Sequence, residues 1–443
     1  MSEKKPFNRW LVVLGALLIQ ISLGAIYIYS VFKPGLKTNF PNWSNTDLAL
    51  PSQLILFFFA VSTIFAGKIQ DKIGPRLVAS IGGVLVGIGL TIASFAQDLT
   101  IFTIGFAVIG GIGIGTAYVC PIATCVKWFP DKRGLITGLA VAGFGAGALV
   151  FTPIAKSFIA SSGIMPTFLY LGIIFFIIVV IGAQLMINPP AGYKPAGWNP
   201  PQAAAGGAVS QSDFTIGQML STPQFWLLWI TYFAGCTAGL MVIMNVTNIW
   251  QSFAMIDLVK ATATVPKDVY ADVVSKGALA VMVVAILNAA GRIVWGKISD
   301  SLGRKTTLLI MFIFSGIIML VLNVLSSFPL FIFGVCCIGF CFGGFLALYP
   351  AVTADYFGTK NVGVNYGCMF MAYGIGGLFG PWLAPKLMNI VQKIPFEVLE
   401  KGNVVAKSFD AGSYLTSFVI SGIMCLVAAA LILMVKPPTA KTK

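Results

Sequence analysis

The chain has no histidine, and only 9 % of its 443 residues carry a charge. A soluble domain holds roughly 25 % charged residues, so this sequence has too few to cover a surface facing water on all sides. An ordinary soluble enzyme, a nucleic-acid binder, a disordered chain and a disulfide-stapled secreted protein are excluded on that ground. Cysteines do not stand in for the missing histidines as metal ligands. Cys120, Cys125, Cys236, Cys336, Cys337, Cys341, Cys368 and Cys425 all fall inside apolar runs, at spacings of no zinc or redox pattern. Their expected role is small apolar packing, and neither a metal nor another cofactor is expected. What the chain has instead is apolar bulk: 58 % hydrophobic residues and a mean hydropathy of +0.92.

A transmembrane helix needs about 20 apolar residues. Nearly uncharged stretches run at about 10–32, 50–67, 77–96, 101–126, 135–155, 167–188, 224–253, 278–295, 307–327, 330–353, 363–385 and 413–435. They predict an all-α membrane protein with twelve spans. The net charge of +14 then reads as topology. Loops before odd-numbered spans and the two tails hold 17 Lys and Arg, against ten in the opposite loops, seven of these in the longer loops near 256–276 and 386–410. Cytoplasmic loops collect Lys and Arg, so both termini are expected in the cytoplasm and the protein in the cytoplasmic (inner) membrane. The basic lead of the first span (Lys4, Lys5, Arg9) imitates a signal peptide. Its apolar run is too long for one and no small-residue cleavage site follows, so it reads as a retained helix.

Residues 67–76 read GKIQDKIGPR and residues 296–305 read GKISDSLGRK. Gly67 and Gly296, Lys68 and Lys297, Ile69 and Ile298, Asp71 and Asp300, and Gly74 and Gly303 agree at one offset of 229 residues. The same offset joins Pro121 to Pro350, Gly138 to Gly367, Gly145 to Gly374 and Gly147 to Gly376. The chain is therefore read as two six-helix copies, 1–188 and 223–443, around a linker at 189–222. A shift of six helices preserves orientation, which makes the repeats parallel. The linker is rich in Pro, Gly and Ala and lacks apolar periodicity; its last part, DFTIGQMLSTPQFW, predicts a short surface helix.

In each repeated loop an aspartate closes a helix and cations follow it. Asp71 with Lys72 and Arg76, and Asp300 with Arg304 and Lys305, can pair there and accept hydrogen bonds from a neighbouring helix N-terminus. Asp71, Arg76, Asp300 and Arg304 are the candidate gate on the cytoplasmic side. The pattern resembles the loop signature of the major facilitator superfamily, with Pro75 and Ser301 departing from it. The segments WFPDKRGLITG (128–138), STPQFWLLW (221–229) and DYFGTKNVGVNYG (355–367) further resemble the oxalate/formate antiporter family, relatives of the monocarboxylate porters. That resemblance implies a secondary transporter of small organic anions working by alternating access, with one core arginine as anchor.

The residues point to the same anchor by themselves. Arg292 is the one ionisable residue well inside a span, eight residues before Asp300. A cation at that depth costs about 2.5–3.5 kcal/mol on insertion scales, so such a residue faces the bundle interior or a wet cavity. No carboxylate lies in a span to pair with it, and a substrate carboxylate gripped by the planar guanidinium supplies the missing charge. Asn288, four residues earlier, shares its face and can orient it. In animal monocarboxylate porters the matching position resembles an Asp; an amide relays no proton, and the sequence offers no other relay. Proton symport and counter-anion exchange both remain open.

The resemblance also implies substrate-lining roles for Tyr27 and Tyr118, and for Phe144, Phe342 and Leu346. Tyr373 is the departure that matters. The oxalate exchanger resembles this chain with a Lys at that place, and two cations balance a dianion where one cation and a phenol balance a monoanion. The expected substrate is thus a monocarboxylate of the lactate, pyruvate, formate and acetate class. Oxalate/formate exchange and carboxylate sensing without transport are the alternatives. Trp250 and Trp382 are expected as belt residues near the outer interface. GGIGIG (110–115), GFGAG (143–147) and GIGGLFGP (374–381) lie within spans, as close-packing or bending elements and not phosphate loops. No selectivity filter or nucleophile–base pair argues for a channel or an enzyme. The partners expected are the carboxylate, a proton or counter-anion, and membrane lipid, with the protein a monomer that binds no nucleic acid.

Overall fold

A computed structural model describes residues 8–190, 192–195, 197–198, 213–261, 264–388, 393–400, 403–410 and 412–438. Twelve of its helices are long and apolar enough to cross a membrane: α1 Arg9–Asn39, α2 Asp47–Ile73, α3 Pro75–Ser94, α4 Leu99–Trp128, α5 Arg133–Ser162, α6 Ile164–Gln184, α7 Pro223–Ile256, α8 Asp268–Leu302, α9 Arg304–Val324, α10 Phe328–Phe357, α11 Val362–Pro381 and α12 Leu415–Met434. They fall into the two parallel six-helix repeats that the 229-residue offset predicts.

Local chemistry sets the ends. The Asn8 side chain accepts from the Trp10 amide at the start of α1, and Ser44 with Asp47 forms a capping box at the start of α2. The repeated loops turn at Gly74 and Gly303, whose φ angles of 93° and 83° a side chain would strain. α1 is not uniform: Gly24–Ile28 tightens into a 3-10 turn. At that point Gly24 lies directly on the Phe144 carbonyl, where a Cβ would overlap. A tightened stretch within a long helix marks a hinge or strain, and Tyr27 sits in it.

The face on which α6 ends and α7 begins is called the linker face below. Of the linker, residues 191, 196 and 199–212 lie outside the described residues. Its last part forms the expected short helix, Ile216–Leu220, capped by Thr215 and Gln218. The Phe214 amide donates to the Phe357 carbonyl at 2.9 Å, and the Asn361 and Asn365 side chains donate to the Phe214 carbonyl. The linker end is thereby tied to the turn between α10 and α11.

On the opposite face, the longer loops hold structure that the sequence reading passed over. β1 (Thr264–Val265) pairs parallel with β2 (Lys393–Glu400), which pairs antiparallel with β3 (Asn403–Asp410). β2, KIPFEVLE, alternates only in part and β3, NVVAKSFD, hardly at all, and charges break the apolar run that marks a span. Trp250 is also placed otherwise than expected. It is buried, its indole N–H donates to the Val273 carbonyl at 3.1 Å, and its ring packs on Phe328 and Phe331. It is a packing residue, and the side chain of Trp382 lies outside the described residues.

Candidate functional site

The two halves meet along two seams, α2 against α11 and α5 against α8. In each seam glycine meets glycine: Gly67 on Gly363, and Gly296 on Gly134. Both pairs are related by the 229-residue offset. A Cβ on any of the four would overlap the facing backbone, so each seam closes only with glycine there.

Each seam is fastened at the linker face by its repeated aspartate. Asp300 accepts the Gly134 and Leu135 amides at 2.8 Å each, at the exposed N-terminus of α5. Asp71 accepts the Gly363 and Val364 amides at 3.3 and 3.0 Å, at the N-terminus of α11. A carboxylate at a helix N-terminus gains from the unpaired amides and the dipole. These are cross-half contacts, as the candidate gate requires.

The cations around the two aspartates differ. Arg304 pairs with Asp300 at 2.7 Å and with Asp355 at 2.8 Å, and Asp355 pairs with Arg133 of the other half at 2.6 Å. The matching positions of the α2–α11 seam hold Pro75, Val126 and Val362, so that seam is apolar where its twin is ionic. Its carboxylate instead meets Lys127 at 3.6 Å and Gln70 at 2.6 Å. Arg76 is not brought to the gate. Its guanidinium donates to the Gln184 carbonyl at 2.8 Å, inside its own half. Lys305, its counterpart, likewise holds the Leu433 and Val435 carbonyls. Both cations satisfy the open end of the last helix of their half. Arg133, Asp355 and Lys127 stand in the sequence only as charges near span ends, and neither the Arg133–Asp355 pair, 222 residues apart, nor the approach of Lys127 to Asp71 has a local signal.

At the middle of the bundle, Arg292 is 1 % exposed. Its Nε donates to Asn288 Oδ1 at 3.0 Å, and one terminal nitrogen donates to the Val141 carbonyl of the other half at 2.5 Å. Gly145 and Gly343 leave it room: a Cβ on Gly145 would stand 3.1 Å from the guanidinium carbon, and one on Gly343 3.2 Å from Arg292 Cγ. The Tyr27 hydroxyl lies against the guanidinium and is 2.7 Å from the Tyr373 hydroxyl. Tyr27 comes from α1 and Tyr373 from α11, so this bond also spans the halves. Among the described residues no ion pair engages Arg292.

Around this polar centre stands an aromatic wall. Phe144 meets Tyr27 edge-on at 5.4 Å and Tyr118 at 5.2 Å. Phe370 stacks on Tyr373 at 4.7 Å, and Phe59 touches Tyr118, Phe144 and Phe370. Of the expected lining residues, Tyr27, Tyr118, Tyr373, Phe144 and Asn288 are thus gathered with Arg292. Phe342 and Leu346 are buried in α10, Phe342 against Gly239 of α7. Neither joins the hydrogen bonds and ring contacts just described. Phe59 and Phe370 went unmarked in the sequence because aromatics are common in any span. The arrangement sets one buried guanidinium among hydroxyls and aromatic edges, between halves fastened on one face.

The model of the Major Facilitator Superfamily matches residues 12–262 and 252–443. The chain belongs to that superfamily. The oxalate:formate antiporter of Oxalobacter formigenes is 27 % identical over 440 residues, covering 97 % of this chain and 92 % of that one. The apicoplast pyruvate carrier 1 of Toxoplasma gondii is 25 % identical over 357 residues, covering 69 % and 63 %. Among solved structures, the facilitator-superfamily transporter FucP in its outward conformation superposes with a TM-score of 0.66 at 14 % identity, over 96 % of this chain and 98 % of that one. At that identity the likeness concerns the fold alone.

If the seams open during transport, the two aspartates hold the closed state. Replacing Asp71 and Asp300 together by Asn puts an amide N–H against backbone N–H groups and removes the charge. Losing about 1 kcal/mol of closed-state contact changes a population about fivefold, and the shift cannot exceed the contact energy lost. Cys236 of α7 is a buried reporter at the contact with α11, its Cβ 3.0 Å from where a Cβ on Gly376 would stand. With Cys236 as the sole thiol, D71N/D300N is expected to speed its alkylation from the linker face about fivefold. Labelling at the wild-type rate would remove the aspartates from the gate.

Proposed function

We propose that this chain is a secondary transporter carrying a small monocarboxylate, of the formate, acetate, lactate and pyruvate class, across the cytoplasmic membrane. The observation that carries the reading is Arg292: a guanidinium buried at mid-bundle, aimed by Asn288 and the Val141 carbonyl, with no ion pair among the described residues. Isolated charge in a bilayer is expensive and marks a binding function. An anion discharges that cost, and a cation raises it. The aromatic wall suits a small carboxylate with a short apolar body.

Alternating access follows from how the halves are joined. The fastenings at the linker face are separate contacts between rigid bundles, and the Tyr27–Tyr373 bond ties the halves again beside Arg292. On the charge rule the linker face is the cytoplasmic one, with both chain ends on it. The centre offers hydroxyls and one cation, so a proton that accompanies transport travels on the substrate, or the carrier exchanges one anion for another. No enzymatic step is proposed, and the unit acting is the monomer.

Oxalate/formate exchange is the second reading, supported by the 27 % identity with an antiporter of that name. The deciding experiment is counterflow into proteoliposomes with formate, acetate, lactate, pyruvate and oxalate. Accumulation of a labelled monocarboxylate against trans substrate is expected. Saturable binding with no flux for any of the five would make the chain a sensor, and saturation by none would end the carboxylate reading.

A further inference from the structure

Three buried phenols converge on the linker-face side of the Arg292 centre, and one of them, Tyr118, is shared with the aromatic wall around it. Tyr118 of α4 and Tyr366 of α11 bring their hydroxyls within 3.5 Å of each other across the halves. Tyr232 of α7 lies beside Tyr366, and its hydroxyl is buried and in no hydrogen-bonding geometry. All three side chains are 2 % exposed or less. Their level is set by α11: Tyr366 comes two residues after Val364, whose amide Asp71 holds, and seven before Tyr373. The cluster therefore sits directly above the α2–α11 fastening, two turns from the Tyr27–Tyr373 bond.

A phenol donates one hydrogen bond. Here three donors face one another with a single long contact among them, and a buried hydroxyl without a partner is costly. Each phenol oxygen can also accept, but the one contact spends a single O–H and leaves the other donors, that of Tyr232 above all, with no acceptor in place. Tyr349 makes the contrast: it is as deeply buried and stacks on Tyr232 at 4.0 Å, yet its hydroxyl is satisfied by Thr231 at 2.7 Å.

We propose that Tyr118, Tyr232 and Tyr366 form a second carboxylate station, built of neutral donors, on the path between Arg292 and the linker face. The proposal rests on the transport reading above. A carboxylate leaving the guanidinium would exchange one strong partner for phenol donors from three helices of both halves. Neutral donors hold an anion more weakly than a cation does, which suits a position that must pass its ligand on. The station shapes the rate of passage and leaves the affinity of the Arg292 position alone.

The test uses the full-length protein in proteoliposomes, with labelled formate and acetate in counterflow and thermal stabilisation of detergent-purified protein as the binding measure. A hydrogen bond to a charged acceptor is worth roughly tenfold. Tyr232→Phe and Tyr366→Phe should each slow counterflow about tenfold, with half-saturating concentrations kept within about twofold of wild type. Tyr349→Phe, which removes an equally buried hydroxyl outside the station, should leave the rate unchanged. Wild-type rates in both variants would overturn the station, as would an affinity loss equal to the rate loss or an equal slowing by Tyr349→Phe. If wild-type protein is neither stabilised by carboxylates nor moves them, the transport reading fails and takes the station with it.

Discussion

Arg292→Ala is expected to reduce carboxylate uptake roughly a hundredfold or more, because truncating one partner of a desolvated charge pair costs about 2–5 kcal/mol. The variant should still fold and insert. A structural arginine and a binding arginine separate in the thermal measurement. Were Arg292 there to hold the bundle, its loss would free Asn288 and the Val141 carbonyl and lower the melting temperature. As a binding residue, its cation is a burden to the empty protein, and removing it leaves the melting temperature unchanged or higher, the usual relation between stability and a functional site. Arg292→Lys should restore little, since a point charge on a flexible stem cannot reproduce a planar fork lodged against Gly145 and Gly343. An Ala variant transporting at the wild-type rate would make the arginine structural and end the site assignment.

Arg292 stands out in the sequence because a charge inside an apolar run is rare and costly. Asn288 came with it through helical spacing. Asp71 and Asp300 were legible for a different reason: two copies at one offset show which positions the fold repeats. The same copies misled at Arg76. By register the partner of Arg304 is Pro75, and Arg76 corresponds to Lys305, which closes a helix end in its own half. Asp355 and Arg133 are 222 residues apart and meet only when the halves dock, so neither local pattern nor repeat marks them as a pair. Tyr232 and Tyr366 stayed hidden among twelve tyrosines, since a phenol in a span has a packing role by default and only geometry shows an unspent donor. The β2–β3 hairpin gives little signal because its strands are short, charged and without a sustained alternation of apolar and polar residues.

If the proposed function holds, Tyr373→Lys is expected to shift preference from monocarboxylates to oxalate. The Tyr373 hydroxyl is 2.7 Å from that of Tyr27, which itself lies against the Arg292 guanidinium. An ammonium in its place would share a buried, aromatic-walled space with Arg292. Two like charges without a partner carry both desolvation and repulsion, so the empty variant should melt below wild type. A monocarboxylate can satisfy only one of the two cations, and its affinity should fall about tenfold, one kcal/mol-scale contact being traded for an unpaired charge. Oxalate brings a carboxylate to each, and its affinity should rise by about the same factor. The thermal readout carries the sign of the effect: oxalate should return the variant to the wild-type melting temperature, where acetate does not. In the unmodified protein the order reverses, with monocarboxylates stabilising more than oxalate. Wild-type protein preferring oxalate over every monocarboxylate tried would defeat the one-cation argument, and the second charge would then have to rest on the hydroxyls of Tyr27, Tyr118 and Tyr373.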